Sequence, residues 1–405
     1  MTRVVVSGLG IVSPYGAGIK PFWAGLSTGE CAIRPLTVID TEGFRSRIGA
    51  EVPAEVIDGL GVSRRRSRAD RLALSAAREA LADADLARCD RTDMAILVGA
   101  VGGGMLEGES WYWDETLRRE PSPQGRSPQE GSPKIGALRS ILPVSHAEVL
   151  GWRLGLGGPR ETVVMACASG AASIAFGADL IRSGATPLAL AGGVDAFTRI
   201  CFMGFNSLKL LDPDPCRPFD RGRRGMSIGE AAAFLVLEDA EHCRRRGARP
   251  LGELLGAGVT TDAHHITAPH PEGEGMMRAM CEALAAAGRE PRDIGYVNAH
   301  GTGTPQNDRV ESLSMARVFG EGRVLVSSTK SLVGHTMAAA GSLEAVATLL
   351  ALQHGLIPPT ANLSDPDPDV PFDCVAQTAR PVELEAALSN SFGFGGQNVS
   401  LIFSR

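Results

Sequence analysis

Two stretches of the chain read as copies of one unit. Glu79–Ala84 leads into Asp93–Gly99, and Glu282–Ala287 leads into Asp293–Ala299, with nearly the same interval from helix to strand. A second echo pairs the strand–helix segment at 162–183 with the one at 324–354, so the order of parts is repeated once. Repetition on this scale commits a chain to stacking equivalent units. With 405 residues the chain exceeds the ~250–300 at which a single core stops growing. We therefore divide it into halves 1–246 and 247–405.

Within the halves the pattern is strand, Gly-rich turn, amphipathic helix, which predicts an α/β protein with a mostly parallel sheet covered by helices. Strands are predicted at 3–7, 94–98, 162–166, 187–191, 231–237, 295–299 and 324–327, with a last strand at 399–403; helices are predicted at 69–85, 170–183, 275–287 and 342–354. Residues 105–160, rich in Pro, Gly, Trp and charge, read as an insertion forming an interface or lid, and 196–230 as a second insertion.

Composition narrows the function. Forty Lys+Arg against 46 Asp+Glu give a net charge of −6, which argues against a surface dedicated to nucleic acid. The eight cysteines contain no Cys-x-x-Cys pair and read as reduced thiols of a cytoplasmic protein. The apolar run after Arg3 is too short for a signal peptide, and no segment has the ~18 apolar residues of a membrane span. Gly8-Leu9-Gly10 and Gly102-Gly103-Gly104 read as turns after strands, and neither completes a nucleotide-binding motif.

Cys167 stands where the strand 162–166 runs into a helix, among small residues. A thiol at a helix N-terminus faces free N–H groups and the positive dipole end, so this placement suits a nucleophile of lowered pKa. His300 and His335 follow predicted parallel strands, at the carboxyl ends where open α/β sheets place ligands. Asn390–Asn398 packs polar, aromatic and glycine residues together, so its backbone N–H groups could hold an oxyanion; otherwise it is a turn before the last strand. His264, His265 and His270 lie in one loop, where adjacent rings point apart, and carry little case for a metal. His146, His242 and His354 show no partner.

Ala166–Gly170, Asn298–Thr304, Thr329–His335 and Asn390–Asn398, in that order along the chain, resemble the motifs of the β-ketoacyl-[acyl carrier protein] synthases of the chain-elongating Cys-His-His type. The resemblance runs from Val4 to Phe403. It implies the thiolase fold, two similar βαβαβαβ halves in a five-layered αβαβα sandwich, and an acyltransferase. Carried onto this chain, Cys167 would take an acyl group as a thioester, and the backbone N–H groups of Cys167 and Phe394 would form the oxyanion hole. His300 and His335, as neutral imidazoles, would stabilise the enolate left when a malonyl unit loses CO₂. Lys330 would set the electrostatics around His335, with Glu344 as its partner. Thr302 and Thr304 would bind the pantetheine arm, and Phe394 would guard the acyl pocket.

The resemblance also implies no metal or redox cofactor in the chemistry, the substrates riding on the phosphopantetheine of an acyl carrier protein. In some members a structural monovalent cation sits among residues matching Asn298, Glu344, Ser389 and Asn390. The partner would be a second copy or a chain-length-factor-like subunit. Five arginines lie within 64–71 of an otherwise acidic chain, and Arg65 and Arg68 are candidates for docking the acidic carrier.

Other functions fit less well. A thiolase needs a second cysteine in its C-terminal glycine motif, where Phe394 stands here, and a starter-type ketosynthase would carry Asn in place of His335. A cysteine hydrolase has no use for the second histidine, and a non-catalytic chain-length factor typically lacks the nucleophile. The segment 205–220 and Trp111-Tyr112-Trp113 favour a type II polyketide or polyene pathway over housekeeping fatty-acid elongation.

Overall fold

The computed structural model describes residues 2–63, 66–87, 91–117 and 135–405. Arg65 and Cys89 lie outside the described residues, as does 118–134 of the first insertion.

In the first half, β1 (Val4–Ser13), β2 (Ala95–Gly99), β3 (Arg160–Val163), β4 (Leu188–Asp195) and β5 (Ala231–Asp239) lie side by side in the order β3-β2-β4-β5-β1. In the second, β6 (Gly252–Thr261), β7 (Tyr296–Asn298), β8 (Leu325–Ser327), β9 (Asp373–Cys374), β10 (Ala386–Gly393) and β11 (Gln397–Ser404) run β9-β8-β7-β10-β11-β6. Leaving aside the short β9, both halves use one order: third, second, fourth, fifth, first. In each the fifth strand is antiparallel to both neighbours while the second pairs in parallel with the third and fourth. The two first strands then meet, Val4–Val6 against Gly252–Leu254 antiparallel, and join the sheets.

Helices complete five layers. α1 (Arg68–Asp83) and α3 (Val144–Leu154) cover the outer face of the first sheet, with α2 (Met105–Leu117) between them in sequence. α4 (Ser169–Arg182) is followed by the short α5 (Arg199–Ser207), and α6 (Glu274–Ala287) and α7 (Pro305–Phe319) lie outside the second sheet. α4 and α8 (Ala340–His354) form the middle layer, touching each other and strands of both sheets. α8 is buried on every side from Ala340 to Leu352, as a helix between two sheets must be.

The outer helices sit unusually close to the sheets. A Cβ on Gly8 or Gly10 would lie 2.3 Å from Ala80 O or 2.0 Å from Ala76 O of α1; one on Gly256 or Gly258 would lie 2.4 Å from Ala283 O or 2.0 Å from Ala279 O of α6. The same glycine–alanine device thus recurs in both halves. It corrects the expectation that Gly8-Leu9-Gly10 is a turn, because β1 runs straight through it. It also explains why β6 goes unseen in the sequence, since three glycines interrupt a strand whose interior faces a helix backbone.

Among the described residues no helix is long and apolar enough to cross a membrane, and the seven described cysteines are free thiols.

Candidate active site

Cys167 stands on a strained elbow. β3 ends at Val163, Ala166 takes a left-handed φ of 45°, and the single 3-10 turn Ala166–Ala168 carries Cys167 into α4. A non-glycine residue there costs roughly 1–3 kcal/mol and needs the surroundings to hold it. Ser169 does so: its hydroxyl accepts from Met165 N–H at 2.8 Å and donates to Ala166 O at 2.7 Å. Gly393, at the end of β10, packs on the elbow, and a Cβ there would lie 3.1 Å from Cys167 N. The second half repeats the device, with Met337 at φ 54° opening the turn Met337–Ala339 before α8.

Cys167 is 7% exposed. Burial pushes its thiol up to about 11, while the Lys330 charge and the Phe394 N–H pull it back. The lowered pKa expected from the helix N-terminus is therefore corrected: a thiol this deep loses more by desolvation of its anion than those donors return.

His300, Lys330, His335 and Glu344 are all buried beside one cavity or beneath it. The imidazole rings of His300 and His335 meet edge-on with centroids 5.3 Å apart. Lys330 Nζ bonds to Glu344 Oε1 and reaches His300 Nδ1 at 3.2 Å. Its direct contact is thus His300, whereas the sequence reading assigned it to His335; its charge acts on both. Burial first, and then the Lys330 charge, hold both imidazoles well below the ordinary histidine pKa, so both are neutral. His335 Nδ1 accepts the Met337 N–H at 3.3 Å. With Nδ1 an acceptor on each ring, each proton sits on Nε2. His335 Nε2 is buried with no protein partner.

The cavity holds about 330 Å³ and is lined by Cys167, His300, His335, Thr302, Thr304 and Phe394, with Phe205, Leu210 and Met226 from the second insertion. Thr302 Oγ1 and Thr304 Oγ1 lie 2.8 Å apart on its wall. Phe394 is half-buried and its ring lies 5.8 Å from that of Phe205. Asn390–Gly393 belong to β10 and only Phe394–Gly396 turn, with positive φ at Gly395 and Gly396, so the alternative of a plain turn across the whole stretch does not hold.

Several supporting residues escape a sequence reading. Glu311 on α7 accepts the N–H groups of His300 and Gly301 at 2.8 Å each, and Asp308 takes Phe219 N–H at 3.0 Å and Gly303 N–H at 3.2 Å. Their only sequence signal is a pair of acids on the inward face of a helix. Arg68 is the opposite case. Its guanidinium is 15% exposed and bound to the fully buried Glu230 and to Val52 O, which removes it from a docking surface. His146 and His242, expected to lack partners, bond to Asp70 at 2.7 Å and Glu238 at 2.6 Å. His265 Nδ1 accepts backbone N–H groups of Thr267 and Ala268.

The chain is similar to known proteins along its whole length. Residues 1–242 match the family model described as beta-ketoacyl synthase, N-terminal domain, and 251–364 the one described as beta-ketoacyl synthase, C-terminal domain. The chain is 36% identical to a 3-oxoacyl-[acyl-carrier-protein] synthase 2 from Synechocystis, covering 100% of this chain and 98% of the relative. It is also 36% identical to the tetracenomycin polyketide synthase ketoacyl synthase alpha subunit of Streptomyces glaucescens, covering 100% and 97%. Among solved structures, the ishigamide ketosynthase/chain length factor superposes with a TM-score of 0.92 at 37% identity, covering 100% and 99%.

Proposed function

The chain belongs to the β-ketoacyl synthase family, has its thiolase fold, and from that premise we propose that it joins an acyl chain on Cys167 to a malonyl unit by decarboxylative Claisen condensation. The observation that carries the roles is the pair of Nδ1 atoms, each occupied by a donor, which leaves two Nε2–H groups on the rings that line the Cys167 cavity.

The thiol of Cys167 attacks the acyl carbonyl of a carrier-bound thioester, and its proton leaves with the departing pantetheine thiol. The backbone N–H groups of Cys167 and Phe394 hold the oxyanion. A malonyl thioester then enters along Thr302 and Thr304. Its C–C bond to the carboxylate breaks, CO₂ departs, and the electron pair becomes an enolate whose oxygen accepts from His300 and His335 Nε2–H. The enolate carbon attacks the acyl carbonyl, and Cys167 leaves as a thiolate that regains a proton. Lys330 supplies positive charge without giving up its proton, held by Glu344.

Asn298 Oδ1, Glu344 Oε2 and Ser389 Oγ are buried without a partner, and Asn298 and Ser389 are register neighbours across β7 and β10. Those oxygens fit a monovalent cation that would neutralise local charge and take no part in the reaction. Asn390 Oδ1 instead accepts the Ser400 hydroxyl at 2.7 Å. We read the halves as 1–246, bearing the nucleophile, and 247–405, bearing both histidines. The carrier is an acyl carrier protein. The partner chain is a chain-length-factor-like subunit or a second copy, and the reading is supported by the open edge of β3, beside which Val164 is 61% and Phe176 37% exposed.

The pathway we favour is type II polyketide or polyene synthesis. In its support, Phe205 and Leu210 from the unusual segment 205–220 line the cavity, and Trp113 stacks under Arg199 at 5.6 Å. Intact-mass analysis tests the mechanism: Cys167→Ala abolishes acyl loading, whereas His300→Ala or His335→Ala loads and fails to decarboxylate malonyl carrier. Normal condensation by either histidine variant overturns the roles. Incubation with a panel of acyl carriers decides between this pathway and fatty-acid elongation.

A further inference from the structure

Asp195 closes β4 and is 2% exposed. Backbone N–H groups hold both its oxygens. Oδ1 accepts from Gly102 at 2.7 Å and from Val101 and Gly103 at 3.3 Å each, all on the loop leaving β2. Oδ2 accepts from Ala338 at 2.8 Å, on the turn that opens α8. One side chain therefore ties the half that carries Cys167 to the half that carries His335.

The tie falls at a sensitive place. Ala338 follows Met337, which is held at φ 54° and whose N–H fixes His335 Nδ1. His335 itself is pinned through its backbone, its N–H donating to Ser227 O at 2.7 Å and its C=O accepting from Gly229 at 2.9 Å. The hydrogen bond to the ring comes from the Met337 N–H, and the strained turn that presents it is clamped from the far side by Asp195. This turn packs in turn against the Cys167 elbow.

We propose that Asp195 is a positioning residue for decarboxylation, holding the Met337–Ala339 turn so that His335 stays an Nε2–H donor. The role rests on the reading of His335 as an enolate-stabilising donor. A carboxylate is required because both oxygens must accept. An amide offers one acceptor oxygen, and its NH₂ would face N–H donors on the other side, so Asp195→Asn releases one of the two clamps.

The half-reactions separate this role from general damage. Asp195 is a negative charge that raises the Cys167 thiol pKa, so its neutralisation leaves loading unimpaired or faster. Misplacing a donor costs on the order of tenfold to a hundredfold in the step it serves. We expect Asp195→Asn to load Cys167 at no less than the wild-type rate while malonyl decarboxylation falls by that factor. In ¹⁵N-histidine spectra the His335 signal should gain the Nδ1–H tautomer. Wild-type decarboxylation in Asp195→Asn, or a parallel fall in loading, decarboxylation and melting temperature, overturns the assignment. A wild-type enzyme that loads but never decarboxylates malonyl carrier overturns the functional reading itself, and this role with it.

Discussion

The buried thiol makes a quantitative prediction. A Cys167 pKa of about 11 leaves about one molecule in a thousand as thiolate at pH 8, against about a quarter for an ordinary thiol near 8.5, a deficit of roughly 250-fold. Alkylation by iodoacetamide reads the thiolate. Its rate at Cys167, followed by intact mass with peptide mapping, should rise about tenfold per pH unit from about pH 7 to about pH 10 without levelling. The slope is the useful quantity, because burial slows reagent access equally at every pH. Lys330→Met removes the charge that favours the thiolate and should lower the rate at each pH while preserving the slope. A wild-type curve that flattens near pH 7 would refute the reasoning: the α4 N-terminus and Lys330 would then outweigh desolvation, and the resting enzyme would hold a thiolate.

Two other substitutions test the supporting structure. Arg68→Ala strands the buried Glu230 and should cost about 3 kcal/mol, within the range for breaking a buried pair, seen as a lower denaturation midpoint; a raised KM for carrier-bound substrate with unchanged stability would restore Arg68 to a docking surface. Burial raises Glu311 to about 7, so the folded state binds this proton more tightly than the unfolded chain. Its contribution is fully present below the unfolded carboxyl pKa and is lost as pH rises through about 7. The Glu311→Gln variant lacks that loss, so its melting temperature should gain on the wild type between about pH 5 and about pH 8; a constant or widening deficit argues against a buried, proton-binding Glu311.

The candidate site was legible where residue type and strand end coincide. Cys167, His300, His335, Thr302 and Thr304 line one cavity, each after the carboxyl end of a parallel strand, Cys167 in the first half and the others in the second. The duplication itself could be read from paired helix–strand segments. What sequence concealed was burial. Arg68 looks like part of a basic cluster until the lone Glu230, before the apolar run of β5, is found beneath it. Asp195 and Asp308 accept backbone N–H groups of segments far away in sequence, Glu311 accepts those of the turn ten and eleven residues before it, and neither spacing is a local pattern. The thiol pKa was misjudged for the same reason, since a helix N-terminus is visible in sequence and the depth of a side chain is not.

The glycine–alanine contacts between β1 and α1, and between β6 and α6, carry a consequence for how such proteins diversify. Layers that meet backbone to backbone cannot be spread by exchanging side chains, because those positions have no side chains left to shorten. A lineage built on this frame inherits its width as a fixed dimension. New substrate lengths must then come from the segments that line the cavity without bearing the sheets, such as the stretch contributing Phe205, Leu210 and Met226. Variation among descendants should accumulate there, while the four glycines stay where the helices press on them.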